Sequence, residues 1–172
     1  MFHILAISGS LRAGSSNTSV INALEALAPA DVLVEAYRGV GSLPHYNPDL
    51  DRDPPPPAVV HWRAAIRAAD AVVICSPEYA HGVPGALKNA LDWIVSSGEL
   101  MEKRVALINA SPHSTHARAS LGETLRVMMA DLVEEASISL WLPRNSMTAA
   151  EIAADGGMAE TLSKVIGTVL KR

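Results

Sequence analysis

A doubly wound α/β domain, its five-stranded parallel sheet covered by helices on both faces, is the architecture expected of this 172-residue chain. Apolar runs alternate with helical patterns along its whole length. The runs are continuous rather than alternating, as in parallel strands buried on both sides. Right-handed crossovers then distribute the helices over the two faces. The loops after the first, third and fourth runs are rich in Gly, Pro, Ser and His, and in such a sheet they share one mouth above the carboxyl ends of the strands.

The first strand is expected over 2–7, followed by a loop of small polar residues and a helix with Ile21, Leu24 and Leu27 at helical spacing. Pro29 and Asp31 end that helix, and Val32, Leu33 and Val34 begin the second strand. Gly39, Gly41, Pro44 and Asn47-Pro48 predict a long loop. The acidic stretch 51–57 holds four consecutive prolines, so it is a surface connection into a helix at 58–69. A third strand at 71–75, a loop at 76–85 and a helix at 86–97 follow. The fourth strand is expected at 105–110, its helix at 117–132, the fifth strand at 137–142 and a closing helix at 158–170. With 49% hydrophobic residues there is material for one core, and 1–172 reads as a single domain.

The loop after the first strand reads as an anion cradle. The first amides of a helix lack intrahelical partners and carry the positive end of its dipole. Ser10, Ser15, Ser16, Asn17 and Thr18 add neutral donors, and Arg12 adds a planar cationic fork suited to phosphate oxygens. An ordinary N-cap needs one such residue, and this loop has five beside the arginine. Gly9 and Gly14 have P-loop spacing, but Ser15 and Ser16 stand where lysine and a magnesium-binding hydroxyl belong. Leu11 stands where a dinucleotide fingerprint needs its second glycine. A site for one phosphate remains.

The loop 76–85 has two prolines, two glycines and Tyr79, and looks built to present backbone amides to a flat heterocycle flanked by Tyr79 or His81. Gly82 is the position expected to adopt a left-handed backbone. Glu78 and His81 invite an acid-base mechanism and Ser8 or Ser10 a hydrolase, but no Gly-x-Ser-x-Gly elbow is present. His113 and His116 have no third ligand nearby, so no metal is expected.

A net charge of -4 gives no basic face for nucleic acid. No apolar run reaches the ~18 residues of a membrane span, and no basic leader with a cleavage site precedes the first strand. The single cysteine, Cys75, excludes a disulfide framework. A cytoplasmic protein without nucleic-acid or membrane partners is expected.

Gly9-Ser10-x-Arg12-x-x-Ser15-x-Asn17, Ser76-Pro77-Glu78-Tyr79 and Gly82-x-Pro84-Gly85-x-Leu87-Lys88-Asn89-Ala90-Leu91-Asp92-Trp93 closely resemble the NADPH-dependent FMN reductase family of flavodoxin-like proteins, over about residues 2 to 142. The resemblance implies FMN, with its phosphate on Ser10, Arg12, Ser15, Ser16, Asn17 and Thr18. It implies that Pro77, Glu78, Tyr79, Ala80, His81 and Gly82 contact the ring or ribityl chain, with Ser111 joining from the loop after the fourth strand. The family often has Asn where this chain has Ala80. It commonly has a Gly-rich stretch where this chain has Ser111-Pro112-His113-Ser114-Thr115-His116, which would reshape the acceptor pocket.

The implied activity is electron transfer from NADPH or NADH through FMN to a small acceptor: a quinone, free flavin, azo compound, metal oxyanion or oxygen. No side chain is assigned a catalytic role, because the cofactor carries the chemistry. The alternatives are an electron-transfer module without reductase turnover and a nucleotide-binding regulator. Wide apolar stripes on the helices at 86–97 (Leu87, Leu91, Ile94, Val95) and 117–132 (Leu121, Leu125, Val127, Met128, Met129, Leu132) predict a homodimer or homotetramer.

Overall fold

The computed structural model describes residues 1–111 and 114–171. Among them the strands are β1 (Phe2–Ser8), β2 (Val32–Tyr37), β3 (Ala71–Cys75), β4 (Arg104–Asn109), β5 (Asp131–Leu132) and β6 (Ile138–Ser139). The helices are α1 (Ser16–Ala26), α2 (Pro57–Ala68), α3 (Gly85–Asp92), α4 (Thr115–Val127), α5 (Ala149–Ala154) and α6 (Gly156–Val169). All strand pairs are parallel, in the order β2-β1-β3-β4, with β5 and β6 both beside β4. This is the flavodoxin-like order, whose switch point lies between β1 and β3.

The fifth position of the sheet differs from expectation. Instead of one strand at 137–142, β5 pairs with the start of β4 (Arg104 opposite Asp131) and β6 with its end (Ile108 opposite Ile138). A 3-10 turn at Glu134–Ala136 separates them. The Ser137 hydroxyl bridges the gap, accepting from the Leu107 amide at 3.0 Å and donating to the Val133 carbonyl at 2.9 Å. Five sheet positions are therefore filled by six strand segments.

Each face carries its own core. Ile4, Ala6, Val73 and Ala106 point to the side covered by α1, α5 and α6, and Leu5, Ile7, Val72 and Leu107 to the side covered by α2, α3 and α4. The stripes expected to form an oligomer interface are largely consumed here. Leu87, Leu91, Ile94, Leu121 and Leu125 are buried within the chain, whereas Val95, Val127 and Met129 stay exposed. Stripe width therefore does not argue for assembly.

Two helices end earlier than their apolar periodicity. In α3 the carbonyl of Trp93, which the next turn would use, accepts instead from Arg63 Nε at 3.0 Å and Nη2 at 2.6 Å. The chain then tightens to three-residue bonds from Ile94 to Leu91 and Val95 to Asp92. Met129 ends α4 in the left-handed region (φ 61°). The amides of Ala130 and Met129 return to the carbonyls of Leu125 and Arg126 at 3.0 and 2.9 Å, a Schellman closure with methionine where glycine is usual. Helix α5 was not anticipated, although Thr148 and Glu151 form a reciprocal capping box at its start.

Candidate cofactor site

Because β1 is flanked by β2 on one side and β3 on the other, α1 and α3 leave the sheet toward opposite faces and open a crevice between the loops that precede them. A cleft of about 360 Å³ lies there, a size usual for small-molecule sites. It gathers residues from the loops after β1, β3, β4 and β6.

The first loop forms one end. Gly9 continues the β1–β3 pairing through a 2.8 Å bond from its amide to the Cys75 carbonyl. A Cβ at Gly9 would lie 2.8 Å from Ser76 Oγ, so glycine is what lets the first and second loops touch. Ser10 Oγ accepts from the Arg12 amide at 3.3 Å and lies 3.4 Å from Tyr79 Oη, linking the two ends of the cleft. Ser15 is the N-cap of α1, yet its side chain makes no cap bond, and the first turn of α1 holds no acidic residue. The Ser15 and Ser16 hydroxyls have no protein partner among the described residues, and both line the cleft. Arg12 lines it too; its Nη2 donates to the Gly14 carbonyl at 2.7 Å, and it has no carboxylate partner among the described residues. Asn17 completes this end. Thr18 does not join it: its Oγ1 lies 3.0 Å from Ser8 Oγ, and it lines a separate hollow beside Tyr37 and Arg38.

Pro77, Glu78 and Tyr79 line the other end, but Ala80, His81 and Gly82 do not. Tyr79 and Gly82 close a two-residue turn through reciprocal backbone bonds of 3.1 and 2.9 Å. The turn puts Ala80 (φ 48°) and His81 (φ 59°) in the left-handed region, and Gly82 is not left-handed, contrary to expectation. A turn with two positive φ angles favours Asn-Gly, so Ala80 is a strained choice. His81 stacks on His116 with ring centroids 4.2 Å apart. Glu78 Oε2 accepts from the Ala117 amide at 2.8 Å, which places its carboxylate at the start of α4. Both contacts clamp the second loop to α4.

Ala110, Ser111 and Ser114 line the cleft from the loop after β4. Asn109 shapes that loop by donating to the Ser114 carbonyl at 2.6 Å. Asn145 enters from the loop after β6. No motif marked it, because an exposed asparagine in an irregular segment has no periodicity to reveal it. Among the described residues no three His, Cys, Asp or Glu side chains are grouped as metal ligands, and His113 lies outside the described residues.

Unspent hydroxyls, an uncapped helix start and one cation at one end suit a phosphate, and the Pro-Glu-Tyr segment at the other suits a planar ring. The residues present therefore fit a flavin mononucleotide. The sequence model of the NADPH-dependent FMN reductase family matches residues 2–140. The chain belongs to the NADPH-dependent FMN reductase family. It is 44% identical over 92 residues to a quinone reductase of Escherichia coli, an alignment covering 53% of this chain and 49% of that protein. It is 39% identical over 110 residues to an NAD(P)H-dependent FMN reductase of Pseudomonas aeruginosa, covering 63% and 59%. The chain thus spans about half the length of the curated relatives it matches. Among solved structures, the flavoenzyme NAD(P)H:(acceptor) oxidoreductase of Paracoccus denitrificans superposes with a TM-score of 0.74 at 26% identity, covering 98% of this chain and 97% of that one.

Proposed function

We propose that this member of the FMN reductase family is an FMN-dependent NAD(P)H oxidoreductase that passes electrons to a small acceptor of the quinone type. The observation that carries the reading is one cleft lined both by the unspent donors of Ser15, Ser16 and Asn17 with the cation of Arg12 and by Pro77, Glu78 and Tyr79. Bound FMN would supply the chemistry, accepting a hydride from nicotinamide and releasing electrons singly or in pairs. Ser10, Arg12, Ser15, Ser16 and Asn17 would hold its phosphate; Pro77, Glu78, Tyr79 and Ser111 would lie along the rest of it. The protein's part is orientation: Gly9 permits the close approach of the two loops, and the Glu78 and His81 contacts to α4 hold the second loop still.

The reading treats 1–172 as one domain in a cytoplasmic setting. No helix among the described residues is long and apolar enough to cross a membrane, and Cys75 is a buried free thiol. Assembly as a homodimer or homotetramer is part of the proposal, and Val95, Val127, Met129 and Trp141 are the large apolar residues left exposed for such a contact.

The purified protein should be yellow, with FMN released on denaturation and identified by HPLC, and NADPH should bleach it anaerobically. Arg12→Ala should weaken FMN by about 1.5 to 3 kcal/mol, the worth of a charge-assisted hydrogen bond, and leave riboflavin unchanged. Equal weakening of both would refute the phosphate role. A flavin that NADPH does not bleach would make the protein an electron carrier instead.

A further inference from the structure

We infer that Cys75 is a positioning residue whose thiol fixes the Asn17 side-chain amide with its NH2 edge, not its carbonyl, toward the anion end of the cleft. The inference rests on the reading of that end as the flavin phosphate site.

Cys75 is the last residue of β3 and is wholly buried. Its Sγ–H donates to Asn17 Oδ1 at 3.3 Å. The contact ties the end of β3 to the start of α1. Burial pushes the thiol well above its ordinary pKa, so the group remains a donor and does not become a thiolate.

Asn17 is the second residue of α1, is only 5% exposed, and lines the cleft. With Oδ1 occupied by the thiol, its Nδ2 has no protein partner among the described residues. An asparagine amide is nearly symmetric in shape, so without a directing partner it can present either edge. The carbonyl edge would repel a phosphate oxygen, and the NH2 edge donates to it. A thiol that settles the choice before the ligand arrives removes a reorganisation cost from binding. A side chain at position 75 that cannot donate would leave the amide free to turn.

The chain has one cysteine, so its S–H stretching band in the infrared belongs to Cys75 alone. In apo protein, Asn17→Ala should shift this band to higher frequency as the hydrogen bond is lost; an unmoved band overturns the contact without reference to flavin. Cys75→Ala should weaken FMN about fivefold, the worth of one neutral hydrogen bond, with riboflavin affinity unchanged. Cys75→Ser, which keeps a donor, should restore FMN affinity, and the phosphorus NMR shift of bound FMN should move in the alanine variant and return in the serine variant. Equal weakening of both flavins in Cys75→Ala, or no rescue by serine, would make Cys75 a packing residue and overturn the proposal. FMN preference kept in Cys75→Ala but lost in Arg12→Ala and Asn17→Ala would overturn it while leaving the phosphate reading intact. Preference kept in all three would refute the phosphate reading itself. Should Cys75→Ala not fold, Cys75→Val, close to cysteine in volume and unable to donate, takes its place with the same expected loss and the same overturning results.

Discussion

Glu78 and His81 are the residues of the second loop that most invite a proton-transfer role, and both are engaged elsewhere. The Glu78 carboxylate is bonded to the Ala117 amide, and the His81 ring lies on His116. These are contacts that hold a loop in shape. Glutamine at 78 keeps an oxygen to accept from Ala117 and loses only the charge at the helix start, worth about 0.3 to 1 kcal/mol. Glu78→Gln and His81→Gln should therefore bind FMN and keep anaerobic flavin reduction by NADPH within about tenfold of the parent, because orientation rather than proton donation is what the loop supplies. Stopped-flow measurement at matched FMN occupancy checks this. A loss of ~100-fold or more would show general acid catalysis on the donor side. A loss only in reoxidation by a quinone would place the residue on the acceptor side.

At the scale of elements, the sheet and its long helices were legible, and the helix ends were not. Apolar periodicity continues past Val127 through Met128 and Leu132, yet α4 stops, because Met129 turns left-handed and closes the last turn. Periodicity reports which side a residue faces, not whether the backbone is still helical. An L-residue in the left-handed region costs about 1 to 2 kcal/mol, and glycine avoids that cost at the expense of a more flexible unfolded chain. Met129 is largely exposed, so its side chain contributes little packing. Met129→Gly is expected to stabilise the protein by about 0.5 to 1 kcal/mol, read as a higher urea midpoint at unchanged slope. A lower midpoint would mean that the exposed methionine is covered by another subunit.

At the scale of the molecule, most of the apolar stripes on α3 and α4 lie in the core and only part of them reaches the surface. The leucines of α3 and α4 are spent on the core beneath them, and Val95, Val127, Met129 and Trp141 are left outside. Single exposed apolar residues are ordinary on a monomer, so these four mark an interface only where they join in one contiguous patch, and the mass in solution decides between the two. Static light scattering at micromolar concentration is expected to give a multiple of 18.2 kDa, and a stable species at 18.2 kDa would remove the oligomer.

The first four strands, the helices between them and the cluster of short-range donors in the first loop were readable from residue types, because periodicity, continuous apolar runs and clustered polar side chains are local properties. Local spacing could not say that Thr18 turns to Ser8 while Asn17 faces the cleft, since neighbouring positions on a helix point in different directions once the helix start is placed. Nor could it say that Ala80 and His81, rather than Gly82, take the left-handed backbone, which follows from closure of the Tyr79–Gly82 turn. Asn145, the Glu78 contact to α4 and the Cys75 contact to Asn17 join residues far apart in the chain. Such pairs exist only after parallel crossovers have brought the carboxyl ends of the strands together, and that is a consequence of folding in three dimensions.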